Sequence, residues 1–532
     1  MVLLGTAACN RNQNQTRRWV EAPWTRESPE WLAIDSDLPA NHLARSIASL
    51  VDELDLSGVY ATYRDAGSPA YHPNAMLKAV LYEMQQGRTK PAEWARDTID
   101  SRPMQWLTLG LRPTRSRWYE FRDRLGPELD RLNEQVVQAS LREGLTTATR
   151  AAQDGTSIAA NASRHQLLKP KTLERRVMQL RQAAEDDILG QTIALAIPGR
   201  PVWSGPAWMA RTPAGRSSQL QRYEQGCIEM ARRQEQNRQR ASDKRKPTDE
   251  IRVSVSDPEA ALGRDKWKVF RPLYNVQILH DLDSPLVLAF EVFAQPNDDG
   301  TLEPMLERYV AWTDRKPDKL LADATYANAS DLAVCEAAGV QLYAPYQENS
   351  FSASKRSGRT LEQIPKSEFR WLEGEQTYEC PEGHRLQRES RERKRRSGGR
   401  TLEVMTYRCP GEFCSGCLRR NQCTSNPESG RTIKRSEHES LVEALQARMQ
   451  TVEAKLLYTL RQQSVELGFA DLKEHRKLRR FSGRGRPRVR TEVGLLILAN
   501  NGLYWIKARG AQSRASPTVG DSDALNPERI AA

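Results

Sequence analysis

The sequence lacks long apolar runs and has few cysteines for its length. Within its 532 residues, no stretch approaches the roughly 18 consecutive apolar residues that a membrane-spanning helix requires. Eight cysteines in so long a chain do not indicate a disulfide-linked scaffold. The first residues end in Cys9 like a lipoprotein signal, but they lack a basic segment and their apolar stretch is very short. We therefore expect a frayed start and no membrane association.

The charge balance of the chain is basic. It has 80 Lys and Arg residues against 68 Asp and Glu residues, a formal net charge of +12. This excess favours a polyanionic partner, and nucleic acid is the usual one. A merely basic soluble enzyme is the alternative. The length predicts about two to four domains rather than one compact core.

Hydrophobic periodicity divides the chain into helical, strand-rich and cysteine-rich parts. Two charged helices interrupt the strands, and a βαβ pattern follows them. We predict an N-terminal arm at 1–39, a helical DNA-binding domain at 40–145, the first part of a catalytic core at 146–349 with a helical excursion at 165–250, a Cys/Arg-rich insertion at 350–437, the last part of the core at 438–507, with a final amphipathic helix at 492–506, and a disordered tail at 508–532.

Three acidic residues stand in settings that suit metal-assisted chemistry. Asp154 precedes Gly155 and Asp323 ends an apolar run, so both patterns predict a strand end whose carboxylate projects from the sheet edge. Glu466 lies in a long helical pattern, with Lys473 two α-helical turns further on. Oxygen ligands from different elements suit a pair of Mg²⁺ ions, which can support phosphodiester chemistry. Taken singly, an Asp-Gly pair is most often a turn, and a glutamate in a charged helix is usually only solvated.

Basic residues cluster in three places. Arg115 and Arg117 mix with aromatic residues in the helical part, which predicts a DNA-binding domain or, alternatively, a packing domain with a solvated basic face. Eight Lys and Arg residues stand against two Glu in 383–400, and nine against one in 473–490. Both runs suit phosphate contacts. The Arg-Gly-Arg-Pro segment at 484–487 matches the core of a minor-groove AT-hook, and a structural turn is the favoured alternative.

Five of the eight cysteines fall between 380 and 423. One Cys-x-x-Cys pair with further Cys and His residues at this spacing is compatible with a tetrahedral zinc site. The four expected ligands are Cys380, Cys409, Cys414 and Cys417. His384 and Cys423 are alternative ligands. A metal would help such a polar segment to fold. The competing interpretation is a group of reduced cysteines in a loosely folded insertion.

Around the three acids the sequence resembles the DDE transposases of bacterial insertion sequences. The resemblance is carried by Asp-Gly-Thr-Ser-Ile-Ala-Ala-Asn-Ala-Ser from Asp154, by Asp-Ala-Thr-Tyr from Asp323, and by Val-Glu-Leu-Gly-Phe-Ala-Asp-Leu-Lys around Glu466. Tyr458 and Arg461, with Glu466 and Lys473, are similar to the family's Tyr-Arg-Glu-Lys signature. The likeness extends over roughly residues 40 to 507.

The resemblance implies an α/β fold: an RNase H-like mixed sheet with flanking helices, an N-terminal helical domain and a Cys/Arg-rich insertion. It implies that Asp154, Asp323 and Glu466 are catalytic and bind Mg²⁺, for which Mn²⁺ can substitute. The implied partners are the terminal inverted repeats and the target DNA, with a dimer in the synaptic complex and a cytoplasmic, nucleoid-associated location. The residues expected to contact DNA are Tyr458, Arg461, Lys473, Arg479, Arg480, Arg115 and Arg117.

Two other functions fit the same acids. An RNase H-like nuclease would cleave DNA without joining it, and a transposase-derived DNA-binding protein would do neither. The intact acids argue against the second alternative, and the helical N-terminal domain, which suits recognition of specific ends, argues against the first.

Overall fold

The computed structural model describes residues 18–64, 67–189, 195–197, 200–202, 205–240, 242, 245–265, 267–346, 351–353, 360–362, 364–395 and 401–515. For 195–197, 200–202, 351–353, 360–362, 395, 462–467 and 513–515 the description covers the backbone alone. The predicted frayed start, and the predicted tail beyond 515, lie outside the described residues.

The N-terminal part is helical, as predicted. Proline stands in the first turn of four of these helices, where a missing backbone N–H leaves no hydrogen bond unmade. Trp24 and Trp31 pack against the core, so the predicted arm is wrong for residues 18–39, which join the helical unit. The helices are α1 (Pro29–Asp37), α2 (Leu43–Glu53), α3 (Ser57–Ala61), α4 (Pro73–Gln85), α5 (Pro91–Asp100), α6 (Arg102–Thr108), α7 (Arg115–Leu125) and α8 (Leu129–Arg142).

The predicted excursion follows the first strand and consists mainly of two long helices packed on each other. They enclose a small core of their own that includes Leu173, Leu180 and Tyr223. This burial explains how helices so rich in charge are held in place. The elements are β1 (Arg150–Ala159), β2 (Leu167–Leu168), α9 (Pro170–Ile188), β3 (Leu195–Ile197), β4 (Arg200–Val202), α10 (Pro213–Arg238) and β5 (Val253–Ser254).

The next elements are β6 (Ala261–Arg264), β7 (Phe270–Asp281), β8 (Val287–Phe293), α11 (Leu302–Thr313), β9 (Lys319–Leu321), α12 (Ala329–Ala338) and β10 (Gln341–Tyr343). They complete a mixed sheet in which the strand order is β10-β9-β1-β7, with β8 and β6 both paired to β7. The β1–β7 and β7–β8 pairs are antiparallel, whereas β9 runs parallel to both β1 and β10. This order and these directions are those of an RNase H-like sheet, which confirms the predicted fold class.

The cysteine-rich insertion is a β-rich unit. Its small core includes Phe369, Tyr378, Tyr407 and two of the cysteines. Its elements are β11 (Phe351–Ala353), β12 (Thr360–Glu362), β13 (Arg370–Leu372), β14 (Thr377–Glu379), β15 (Gln387–Arg395), β16 (Thr401–Arg408), α13 (Gly411–Gly416), α14 (Arg420–Cys423) and β17 (Thr432–Ser436).

Three helices close the chain: α15 (Glu439–Met449), α16 (Val452–Ala470) and α17 (Arg486–Ala515). The last helix begins six residues before the predicted Glu492 and continues through 508–515, so the predicted disordered tail is wrong for those residues. Helix α17 packs against α2, α4, α8 and β8. Asn133 Nδ2 on α8 donates to the Gly494 carbonyl at 3.2 Å. The helical unit and the sheet therefore share one hydrophobic core.

Candidate active site

Asp154 lies in the middle of strand β1. Strand β7 pairs with β1 from Ala151 to Ala159, whereas β9 pairs only with 150–152. The predicted strand end and turn at Asp154-Gly155 are therefore wrong: cross-strand pairing with β7 overrides the local turn preference. The Asp154 side chain is half-buried, just beyond the point where β9 ends. Burial raises the pKa of its carboxyl to about 6, against the opposing effect of the Arg461 guanidinium.

Asp323 lies just past the end of strand β9, separated from it by Ala322, and here the strand-end prediction is confirmed. Its Oδ1 accepts a hydrogen bond from the Thr325 N–H at 2.8 Å, which fixes the 3₁₀ turn Ala324–Tyr326. Because β9 is parallel to β1 and Leu321 pairs with Ala152, Asp323 two residues later comes close to the middle of β1. The negative charge of Asp323 accordingly contributes to the raised pKa of Asp154. The fold thus brings together two acids that are far apart in the sequence.

A third carboxylate, Asp298, lies near enough to the two predicted aspartates for its charge to contribute to the raised pKa of Asp154. It lies between β8 and α11, and its Oδ1 accepts hydrogen bonds from Asn275 Nδ2 at 2.7 Å and Gln277 Nε2 at 2.6 Å. Burial raises the pKa of Asp298, and the charge of Asp323 adds to the effect. From sequence, Asn-Asp-Asp-Gly at 297–300 indicates only a turn. The signal in the sequence that could have indicated Asp298 is its position, because two acidic residues follow soon after a buried strand.

Gly155 makes room for this arrangement. A Cβ at this position would lie 2.0 Å from Nε2 of Gln277 and 2.4 Å from Oδ1 of Asp298. These are far shorter than any real contact of a methyl group, and the two groups it would meet are hydrogen-bonded to each other. The glycine after Asp154 is therefore required by the close approach of side chains and not by a turn.

A buried polar network lies beneath the acids and connects the elements that carry them. Gln153, Gln277, Thr301 and Tyr326 are all almost fully buried. The Tyr326 hydroxyl donates to Gln277 Oε1 at 2.8 Å, and Gln153 Nε2 donates to the same oxygen at 3.1 Å. Thr301 Oγ1 donates to the Asp298 carbonyl at 2.8 Å. These hydrogen bonds therefore fix the relative positions of strand β1, the turn after Asp323 and the loop that carries Asp298.

Helix α16 lies across β1 and brings its basic signature residue to Asp154. Arg461 is only 8% exposed, and its Nη2 lies 3.5 Å from Asp154 Oδ1. Its guanidinium also lies over the Tyr458 ring, 5.5 Å from the centroid. Glu466 belongs to the same helix, but its side chain lies outside the described part of the structure.

Lys473 reaches β1 from a π-helical turn, Asp471–His475, that follows α16. Because the α-helix ends at Ala470, the predicted α-helical spacing between Glu466 and Lys473 is wrong. The Lys473 ammonium donates instead to the Thr156 hydroxyl, two residues after Asp154 on the same strand. Residues i and i+2 of a strand share one face, so Lys473 lies on the Asp154 side of the sheet.

The remaining predicted DNA contacts are exposed. Arg115 and Arg117 lie in the first turn of α7, where Arg117 pairs with Glu120. Arg479 pairs with Glu474, and Arg480 Nη2 donates to the Ala162 carbonyl. The 484–487 segment is a turn into α17, which agrees with the structural turn that the sequence favours over an AT-hook. Gly485 has φ +81°, and its N–H donates to Asp257 Oδ1 at 3.2 Å.

The five clustered cysteines line one small cavity of about 20 Å³, which His384 also lines. The His384 N–H donates to Cys380 Sγ at 3.3 Å. Burial raises the pKa of the Cys409 thiol, with the neighbouring Cys414 adding to the effect, and it raises the pKa of Cys423 to about 11. Among the described side chains, no three His, Cys, Asp or Glu residues stand in the arrangement of a metal site, here or at the aspartates.

Comparison with known families identifies two parts of the chain. A family model described as a transposase DDE domain matches residues 379–502, from the cysteine-rich insertion into α17. A second, described as a transposase domain (DUF772), matches residues 32–124, which is most of the helical unit. Asp154 and Asp323 fall between the two matched regions. No curated protein matches the chain. No described helix is long and apolar enough to cross a membrane.

Proposed function

We propose that this chain, a member of the DDE transposases of insertion sequences, binds the terminal inverted repeats of its element, cleaves them with Mg²⁺ and joins them to target DNA. The observation that carries the proposal is the convergence of Asp154 and Asp323 on one RNase H-like sheet, beneath the helix that bears Glu466. The matched transposase models support the family, and this convergence supports the proposed chemistry.

The donor set suits Mg²⁺ because it consists of carboxylate oxygens, the ligands that hard cations prefer. After burial, the charges of Asp323 and Asp298 contribute to the raised pKa of Asp154, and the charge of Asp323 contributes to the raised pKa of Asp298. Among the described residues, Arg461 pairs with Asp154, whereas Asp323 and Asp298 form no ion pair. Asp154, Asp323 and Glu466 would hold the metal pair, which supplies an activated nucleophile and a stabilised leaving oxygen.

The other residues of the site bind and orient. Arg461 offsets the charge of Asp154. The buried network of Gln277 and Tyr326 holds the turn after Asp323 in a fixed position relative to the sheet. Lys473, held at Thr156 on the Asp154 face, is placed to contact a phosphate that flanks the reacting one. Arg115 and Arg117, at the exposed start of α7, are positioned to contact the phosphates of the repeat. Two ends must be cut together, so we expect a dimer in the synaptic complex.

The test is a set of carboxylate variants assayed on a labelled duplex that carries the element's own ends. Asp154→Asn, Asp323→Asn and Glu466→Gln should each abolish Mg²⁺-dependent cleavage while DNA binding persists. Asp331→Asn, which alters a buried carboxyl on α12 outside the site, is the matched control and should cleave normally. Strong residual cleavage by any of the three site variants would remove that residue from the metal site.

The alternatives give different results in the same assay. A nuclease on this core would release cut ends and never join them, and a non-catalytic derivative would bind the duplex without cutting it. Joined products from the wild-type protein, lost in the Asp154→Asn variant, support transposition over both.

For the cysteine-rich insertion we propose a zinc-binding role. Its support is that all five clustered cysteines, distant in sequence by up to about 40 residues, line one cavity together with His384. Thiolates and imidazole in such a set suit a tetrahedral Zn²⁺, with Cys380, Cys409, Cys414 and Cys417 as the proposed ligands. The zinc would stabilise the insertion by cross-linking its loops.

Elemental analysis of the purified chain tests the zinc role directly. One equivalent of zinc is expected, lost in a Cys414→Ser variant and kept in a Cys335→Ser variant, whose cysteine is buried on α12 away from the cluster. Chelation should lower the melting temperature of the wild type but not that of Cys414→Ser. A zinc-free wild-type protein, purified without chelator, would leave the cysteines as a reduced packing cluster.

A further inference from the structure

A basic groove of about 610 Å³ lies between the end of α10 and the edge of the sheet. Besides Arg232, which pairs with Glu229, four exposed cations line it, from separated places in the sequence: Lys169, Arg240, Lys246 and Arg252. Within the described residues, none of these four side chains forms an ion pair with a carboxylate. Glu250 is the acidic residue in the lining. The groove therefore presents an excess of uncompensated positive charge to solvent.

The backbone of this groove is held in place by buried polar side chains. Asn237 Nδ2 donates to the Lys246 carbonyl at 2.8 Å, and its Oδ1 accepts from the Lys246 N–H at 3.0 Å. Arg233 donates to the Arg252 carbonyl at 2.9 Å and to the Ala260 carbonyl at 2.7 Å. Two of the four cations thus stand on backbone that is fixed before any ligand binds, which lowers the entropic cost of binding.

The groove shares a loop with Asp298. Gln295 and Pro296 form part of its wall, and Asp298 follows two residues later. Asn275 Nδ2 donates to the Asn297 carbonyl at 2.8 Å and to Asp298, which ties the loop to strand β7 beside the acids. Phe270 at the start of β7, 44% exposed, adds an apolar surface to the lining.

The conspicuous basic run at 473–490 is less available than its sequence suggests. Five of its nine cations are engaged by carboxylates: Arg476, Arg479, Arg486, Arg488 and Arg490. An ion-paired arginine on the surface can still contact a phosphate, but it brings less net charge. The groove, whose cations come from separated places in the sequence, is therefore a further source of positive charge for DNA binding.

We propose that this groove binds the phosphate backbone of the duplex DNA that adjoins the reacting phosphate. The proposal rests on the proposed transposase function, because it identifies where the substrate of that reaction lies. Arg240, Lys246 and Arg252 contact phosphates, and Phe270 packs against a deoxyribose. Contacts of this kind set affinity and register and do not read sequence.

The test compares two triple variants in the full chain. The groove variant is Arg240→Gln, Lys246→Gln and Arg252→Gln. The control is Lys171→Gln, Arg175→Gln and Arg222→Gln, which removes the same charge from exposed positions on α9 and α10 outside the groove. The dissociation constant is measured against salt concentration, on duplexes carrying the element's ends with long and short flanks beyond the cleavage site.

Each lost phosphate contact lowers the slope of log affinity against log salt by about 0.9. The groove variant should therefore lose roughly two to three from the wild-type slope and lose the preference for the long flank, whereas the control keeps both. Equal slopes and equal flank preference in the two variants would overturn the groove assignment. A wild-type chain that neither binds nor cuts these duplexes would contradict the proposed function itself.

Discussion

Replacing Gly155 with alanine tests whether the packing around Asp154 determines activity. The new Cβ would fall 2.0 Å from Gln277 Nε2 and 2.4 Å from Asp298 Oδ1. Both atoms belong to flexible ends, but Gln277 is fully buried and its amide makes hydrogen bonds to Asn275, Asp298, Gln153 and Tyr326. Moving it aside breaks two or more of these bonds.

Two effects of opposite sign compete in this variant. Alanine in a strand interior gains about 0.5–1 kcal/mol over glycine, because the unfolded chain loses less freedom. Overpacking a filled site costs about 1–3 kcal/mol, and each displaced buried hydrogen bond costs about 1 kcal/mol more. The net effect is a destabilisation of about 3 kcal/mol. Cleavage should fall by about 100-fold, because displacing Gln277 disturbs its hydrogen bond with Tyr326, which lies in the turn after Asp323.

Thermal unfolding and single-turnover cleavage of an end duplex measure the two effects. Gly374→Ala is the matched control, because no atom lies within 4 Å of its added Cβ, and it should leave both quantities unchanged. A Gly155→Ala protein with wild-type stability and rate would refute the argument, since Gln277 and Asp298 would then move aside freely.

Three further predictions follow from single contacts. Lys473→Ala should lower cleavage more than DNA binding, because its ammonium lies on the Asp154 face at Thr156; equal losses in rate and affinity assays would contradict this. Tyr326→Phe should destabilise the fold by about 1 kcal/mol and weaken Mn²⁺ binding measured by electron paramagnetic resonance, and unchanged Mn²⁺ affinity would argue against a positioning role. Burial raises the pKa of Glu83 to about 8, so the folded state retains a proton that the unfolded state loses, and stability falls as pH rises from about 5 to 8. Glu83→Gln should therefore melt higher than wild type at pH 9 and nearly equal to it at pH 5; a pH-independent difference would contradict the assignment.

The fold class and the strand end before Asp323 could be predicted from the sequence, because both depend on local pattern. The apolar run before Asp323 is a short strand with a turn after it, as predicted. At Asp154 the local Asp-Gly pattern favours a turn, but a long-range partner, β7, extends the strand through it. Tertiary pairing of this kind leaves no mark in the residues around the motif.

Other features depended on contacts that no local pattern encodes. Asp298 reaches the site because Asn275 and Gln277 on a separate strand hold its carboxylate. The position of Lys473 follows from a π-helical turn, which shifts the helical phase that the spacing to Glu466 implied. Helix α17 extends beyond its predicted ends because its middle packs against both the helical unit and the sheet.

Strand transfer is the most direct test of the central claim. A duplex end with a pre-formed 3′ hydroxyl is incubated with the wild-type chain, a supercoiled plasmid and either Mg²⁺ or a chelator. Joined plasmid products that require Mg²⁺, and that vanish with Asp154→Asn, are predicted. An Asp154→Asn protein that joins ends as well as wild type, or a wild type that binds the end and never joins it, would contradict the account.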